Sequence, residues 1–159
     1  MTGDALRTAL PEWIIVSRLL LAILLGGIIG LEREIRNRPA GLRTHILVSM
    51  AAASFTLITI EIYHEVGVAP GSAARTDPVR IVDAVTAGVA FIAAGAIIQS
   101  QGDVKGLTTG AAIWLAGAIG VACGIGFYLV ASLAAIFAVI VLRLVGWAEQ
   151  KWLGKDFDS

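Results

Sequence analysis

Gly26-Gly27-Ile28-Ile29-Gly30-Leu31-Glu32-Arg33-Glu34-Ile35-Arg36-Asn37-Arg38-Pro39-Ala40-Gly41-Leu42-Arg43-Thr44-His45 is the stretch on which the fold turns. An apolar helix runs into a dense charged turn and then into a second apolar segment. Six ionised side chains, Glu32, Arg33, Glu34, Arg36, Arg38 and Arg43, stand between the two. Such a turn is either a membrane-boundary anchor or a functional surface.

Working outward, the composition selects the class. Of 159 residues, 57% are hydrophobic and 15% charged, against roughly 25% charged in soluble domains. The chain reads as an integral membrane protein. Net charge is zero, and no basic stripe with interleaved aromatics exists, so nucleic acid is not an expected partner. The lone Cys123 lies in an apolar segment, which excludes an internal disulfide and a cysteine metal site; it reads as a small core residue. A cleaved signal peptide is not expected, because the first apolar run ends in charges rather than small residues.

A spanning helix needs about 20 apolar residues. Five segments qualify, at about 13–31, 44–63, 79–100, 107–122 and 127–147, giving an all-α polytopic bundle forming one transmembrane domain, with a short tail over 148–159. The connection before the third span is polar and rich in turn residues. It ends in Thr76-Asp77-Pro78-Val79-Arg80, where Asp77 is placed to cap a helix whose first position suits Pro78.

Counting cations gives the orientation. One side collects Arg7, Arg75 and Arg80; the other collects Arg33, Arg36, Arg38, Arg43, Lys105, Arg143, Lys151 and Lys155. The second side is expected in the cytoplasm, with the N-terminus outside and the C-terminus inside. Trp13, Tyr63, Phe127, Tyr128, Trp147 and Trp152 fall near span ends, where interfacial aromatics belong.

Packing between helices in lipid relies on small residues. Ala22, Gly26 and Gly30, then Ala84 and Gly88, then Ala112, Ala116, Gly120 and Gly124 recur at intervals of four. These seams suit a compact bundle in the lipid bilayer, with a homodimer as the alternative use. The fifth helix, rich in Leu, Ile and Val, is expected to face more lipid. Arg18 and Asp83 are ionisable residues inside spans, at similar depth from the outer boundary. An Arg18–Asp83 clasp would offset the cost of both charges. The alternative has Arg18 snorkelling and Asp83 paired with Arg80.

No catalytic constellation is visible. His45 and His64 lie at opposite ends of one helix, with no nucleophile–base pair, and the glycine clusters lack a phosphate-loop lysine. No enzyme activity, cofactor or metal site is expected. A Mg²⁺ path would want carboxylates converging near the midplane, whereas Glu32, Glu34, Asp83 and Asp103 all lie near boundaries.

Gly30-Leu31-Glu32-Arg33-Glu34, Arg38-Pro39-Ala40-Gly41-Leu42-Arg43-Thr44-His45, Asp77-Pro78-Val79-Arg80, the Ala87 to Ala96 segment and Gly106-Leu107-Thr108-Thr109 with Trp114 together resemble the MgtC/SapB family. The resemblance covers residues of roughly 25 to 128 and is closest to the short, SapB-like form without a cytosolic domain. Where the family often has glycines in the third span, Ala90 and Ala93 stand here. The resemblance implies a bacterial inner-membrane protein linked to growth at low Mg²⁺ and survival inside host cells, and for some members to restraint of the F-type ATP synthase. Set on the topology expected above, these motifs bring Glu32, Arg33, Glu34, Arg38, Arg43, His45, Thr108 and Thr109 to one cytoplasmic face. There the arginines would meet lipid phosphates, nucleotide phosphates or acidic residues of a membrane-protein partner, with Glu32 or Glu34 holding them in place. The expected function is regulation or interaction; the alternative is a small transporter or channel subunit for Mg²⁺ or another solute.

Overall fold

The computed structural model describes residues 8–66, 79–100 and 103–153. Five helices run in order: α1 (Glu12–Ile35), α2 (Leu42–Val66), α3 (Val79–Gly95), α4 (Leu107–Ile125) and α5 (Tyr128–Leu153). Among the described residues, all but α3 are long and apolar enough to cross a membrane. The described part of α3, 17 residues or about 25 Å, is shorter than the ~30 Å hydrocarbon core. It nonetheless lies antiparallel along α4: Gly110 meets the Ala93 carbonyl, and Gly117 meets Val89 one helical stretch further on.

The expected third span is corrected at its end. Instead of continuing to residue 100, the helix stops at Gly95, and Ile98–Ser100 (β1) pairs antiparallel with Asp103–Lys105 (β2). Gly106 explains the geometry: at φ 85° it takes a left-handed conformation, and a Cβ there would strike the Ala96 carbonyl. The expected start Asp77-Pro78 lies outside the described residues, while Val79 and Arg80 open α3.

α2 lengthens to Val66, and α5 runs past residue 147 into the expected tail as far as Leu153; two further boundaries move for a shared reason. α1 continues past residue 31 to Ile35, and α4 past 122 to Ile125. Each closes in a Schellman motif, which ties off terminal carbonyls and so lengthens the helix by a turn. At the end of α1, Asn37 (φ 53°) donates to Glu34 O and Arg38 N–H to Arg33 O, both at 3.0 Å. At the end of α4, Gly126 (φ 101°) donates to Cys123 O at 3.1 Å and Phe127 N–H to Ala122 O at 2.8 Å.

α4 is the central helix. Of its spanning segment 61% is buried, against 17% for α5, whose Leu, Ile and Val side chains face outward as expected. The small-residue seams explain the difference. On α4, Ala112, Ala116, Gly120 and Gly124 are all buried, with Gly120 against the Ser49 carbonyl and Gly124 against Thr56 of α2. On α1, Ala22, Gly26 and Gly30 are buried; a Cβ at Gly26 would lie 2.7 Å from His45 O, and one at Gly30 2.8 Å from Leu42 Cα. Backbone therefore touches backbone, the contact that replaces hydrophobic drive in lipid. The third seam is different: Ala84 and Gly88 are exposed, and α3 instead packs through Val85, Val89 and Ala93. Val85, Val89 and Ala93 repeat at the same interval of four and are the larger apolar set, so the branched side chains took the buried face. Cys123 is fully buried, as a small core residue.

Candidate functional site

The charged stretch forms a corner whose two helices cap each other. Because α1 runs to Ile35, Glu32 and Arg33 are helical residues rather than turn residues, and both face inward with 2% exposure. Glu34 turns the other way and accepts the Leu42 N–H at 3.0 Å, satisfying one of the orphan donors in the first turn of α2. Gly41 permits this: a Cβ there would occupy the position of the Glu34 carboxylate. His45 Nδ1 donates to Gly41 O at 2.9 Å, and the side chain is fully buried, its Cβ against Gly30.

Arg33 ties this corner to α4. Its Nη2 donates to Thr109 Oγ1 at 2.9 Å, and Thr109 is 2% exposed in the first turn of α4. Burying a guanidinium is costly unless its donors are met, so a buried acceptor at the facing helix start is what makes this position tenable. Thr108, its neighbour, faces a groove against α5 instead.

Glu32 pairs with Arg36 one turn on, Oε1 to Nε at 2.6 Å. The arginine lies against Gly146 of α5, its Nη1 3.1 Å from where a Cβ would stand. Successive residues of a helix point about 100° apart, so Glu32 serves the α5 side of α1 while Arg33 serves the α4 side. Arg33 is thus held in the interior on Thr109, and the Glu32 carboxylate pairs with Arg36. On the outside of the corner Arg43 is exposed, as are Leu31 and Ile35 at the end of α1 and Leu47 one turn along α2, and Arg38 is half-buried.

The opposite end of the bundle holds the other intramembrane charge. Arg18 Nη1 donates to Gly124 O at 2.6 Å and Nε to Tyr128 Oη at 3.3 Å. The Arg18–Asp83 clasp does not form, and Asp83 is exposed and paired with neither Arg18 nor Arg80 among the described residues. The reason is local: the C-terminal carbonyls of α4 point out of the helix beside α1 and attract a cation more closely than a side chain on α3 could. Glu61, missed in the sequence, receives the Ala9 and Leu10 N–H groups at 2.6 and 3.1 Å. Its signal was a carboxylate at the end of an apolar helix, the level of the α1 entry. Among the described residues no group of three His, Cys, Asp or Glu side chains is placed to hold a metal ion.

The model of the MgtC family matches residues 19–151. Protein SapB of Bacillus subtilis is 38% identical over 149 residues, covering 89% of this chain and 60% of its own length. Protein SrpB of Synechococcus elongatus is 35% identical over 156 residues, covering 89% and 84%. YhiD of Escherichia coli K12, by name a proposed magnesium transporter, is 36% identical over 142 residues, covering 89% and 65%. The chain thus spans rather less than two thirds of two of these relatives. No solved structure matches it. With a buried Arg33–Thr109 bond joining two of the family's motifs and four helices able to cross a membrane, this chain belongs to the MgtC family.

Proposed function

We propose that this protein is a regulatory or interaction protein of the bacterial inner membrane rather than an enzyme, and that its charged corner faces the cytoplasm. The observation that carries the reading is the division of labour among the corner's charges. Glu32, Arg33 and Glu34 serve the fold, whereas Arg43 is exposed, as are Leu31, Ile35 and Leu47 of the same corner. An exposed cation at a corner that also exposes apolar side chains suits contact with another membrane protein, since it offers both apolar area and a charge for an acidic partner. The excess of Lys and Arg at this end supports the cytoplasmic placement. By family resemblance the partner is a membrane complex whose activity is adjusted at low Mg²⁺, the F-type ATP synthase being one such complex.

The test is charge reversal. Arg43→Glu is expected to leave folded yield unchanged and to abolish both copurification of a membrane partner and growth support at low Mg²⁺. A variant that retains both sinks the reading. The rival, transport of Mg²⁺ or another solute, draws on the name of the Escherichia coli relative. Against it stand the closed helix seams, where Gly120 meets the Ser49 carbonyl and Gly124 meets Thr56. Mg²⁺ flux into liposomes holding the pure protein would reverse the choice.

A further inference from the structure

Below Arg36 an apolar groove of about 400 Å³ opens between α4 and α5, with Ile29 of α1 at its back. Thr108, Ala111, Leu115, Ala138 and Leu142 are among its walls. One turn of an α-helix about 10 Å across would fill a similar volume, so the groove suits a hydrocarbon chain rather than a partner helix. Its direction is fixed by its walls: Leu115 lies deep in the bundle, and Thr108 and Leu142 lie towards the charged end.

At that end the groove meets cations. Ala138, Leu142 and Gly146 follow one another at intervals of four along α5, so the strip that floors the groove continues to the glycine on which the Arg36 guanidinium rests. Glu32 holds Arg36 through Nε, while Nη1 lies beside Gly146, and the side chain is 28% exposed. Arg143, next to Leu142, is exposed and has no acidic partner among the described residues. Farther along the same face, Lys151 lies 4.7 Å over the Trp147 ring, and Trp147 is 57% exposed, as a residue at the headgroup level should be. Arg36 and Arg143 thus stand at the charged end of the groove, with Lys151 farther along α5.

We propose that this groove is a binding site for an anionic phospholipid, one acyl chain lying between α4 and α5 and the headgroup phosphate meeting Arg36 and Arg143. A guanidinium already fixed by an ion pair offers its outer N–H groups to phosphate oxygens with little further ordering. The comparison within the molecule favours charge as the discriminant. A second apolar groove, of about 440 Å³ between α2 and α3, likewise has no cationic side chain in its walls, but there Arg80 precedes Ile81 and Asp83 precedes Ala84, so its neighbouring charges balance. That groove is expected to take lipid without regard to headgroup.

Native mass spectrometry of the full chain in mild detergent, titrated with dioleoyl phosphatidylglycerol or dioleoyl phosphatidylcholine, tests this. The wild type is expected to retain the phosphatidylglycerol at lower concentration. Arg143→Gln should weaken that retention about fivefold, the usual effect of one cation at an anionic surface. Gly146→Leu, which displaces the Arg36 guanidinium without removing the Glu32 pair, should do the same. Ala111→Trp fills the groove from its exposed side and should remove the preference, whereas Ala84→Trp in the second groove should leave it intact. Equal retention of the two lipids by the wild type overturns the proposal. So does a preference that survives Ala111→Trp, or one unmoved by both Arg143→Gln and Gly146→Leu.

Discussion

The two ends of the bundle solve one problem in opposite ways. At the Arg18 end, ionised side chains reach backbone: Arg18 caps the Gly124 carbonyl, and Glu61 receives the Ala9 and Leu10 N–H groups. These groups stay in partial contact with their surroundings. At the Arg33 end, the ions are taken inside, Arg33 onto the Thr109 hydroxyl and Glu32 onto Arg36. Caps of the first kind finish a helix and tolerate change. Buried ions of the second kind lock three helices together, because a charge left without its partner in a low-dielectric setting is costly. The lesson is that the density of charge in a sequence does not show which charges face outward; here the densest run contributes the most deeply buried ones.

That contrast can be broken, and the largest effect is expected at Arg33. Arg33→Met keeps length and apolar volume but strips Thr109 of its donor and removes the positive charge beside Glu32, and a loss of about 3–5 kcal/mol is expected in a reversible unfolding titration in mixed micelles. Next comes Thr109→Val, which leaves a buried guanidinium N–H unmet at an unchanged shape, for about 1–3 kcal/mol in the same titration. If it costs nothing, the Arg33–Thr109 bond does not hold the corner to α4.

The other end should respond less. Arg18→Met removes a charge-assisted bond that is half open to its surroundings, and about 1 kcal/mol is expected, read as fraying of α4 by hydrogen exchange at residues 122–126. A cost equal to that at Arg33 would erase the distinction between the two ends. Smallest of all is Asp83→Asn. With Asp83 exposed and unpaired, no loss of stability is expected on thermal unfolding, whereas a clasp with Arg18 would make the same change destabilising.

Much of the architecture was legible. The apolar runs are long enough that only a helix satisfies their backbone in lipid, so helix number and rough extent follow from composition and length. The seams on α1 and α4 followed from small residues at intervals of four, and the outward face of α5 from its bulk. Arg33 and Thr109 could be named as motif members, although nothing in their spacing shows that they touch across 76 positions. The α3 seam misled because Ala84–Gly88 and Val85–Val89 share one periodicity, and which set turns inward depends on what α4 offers opposite: Gly117 leaves room for Val89.

By itself the sequence determined that this is an α-helical membrane protein of one family, with a charged corner between its first two helices. It could do so because burial in lipid acts on each helix separately, residue by residue. Tertiary structure decided the direction of every charge in that corner. Extending α1 by one turn rotates Glu32 and Arg33 into the bundle, and that turn exists because Asn37 adopts a left-handed conformation while Thr109 of α4 stands ready to accept. The orientation of a side chain on a helix end is a property of where the helix stops and of what lies opposite, and neither is written in the local run of residues.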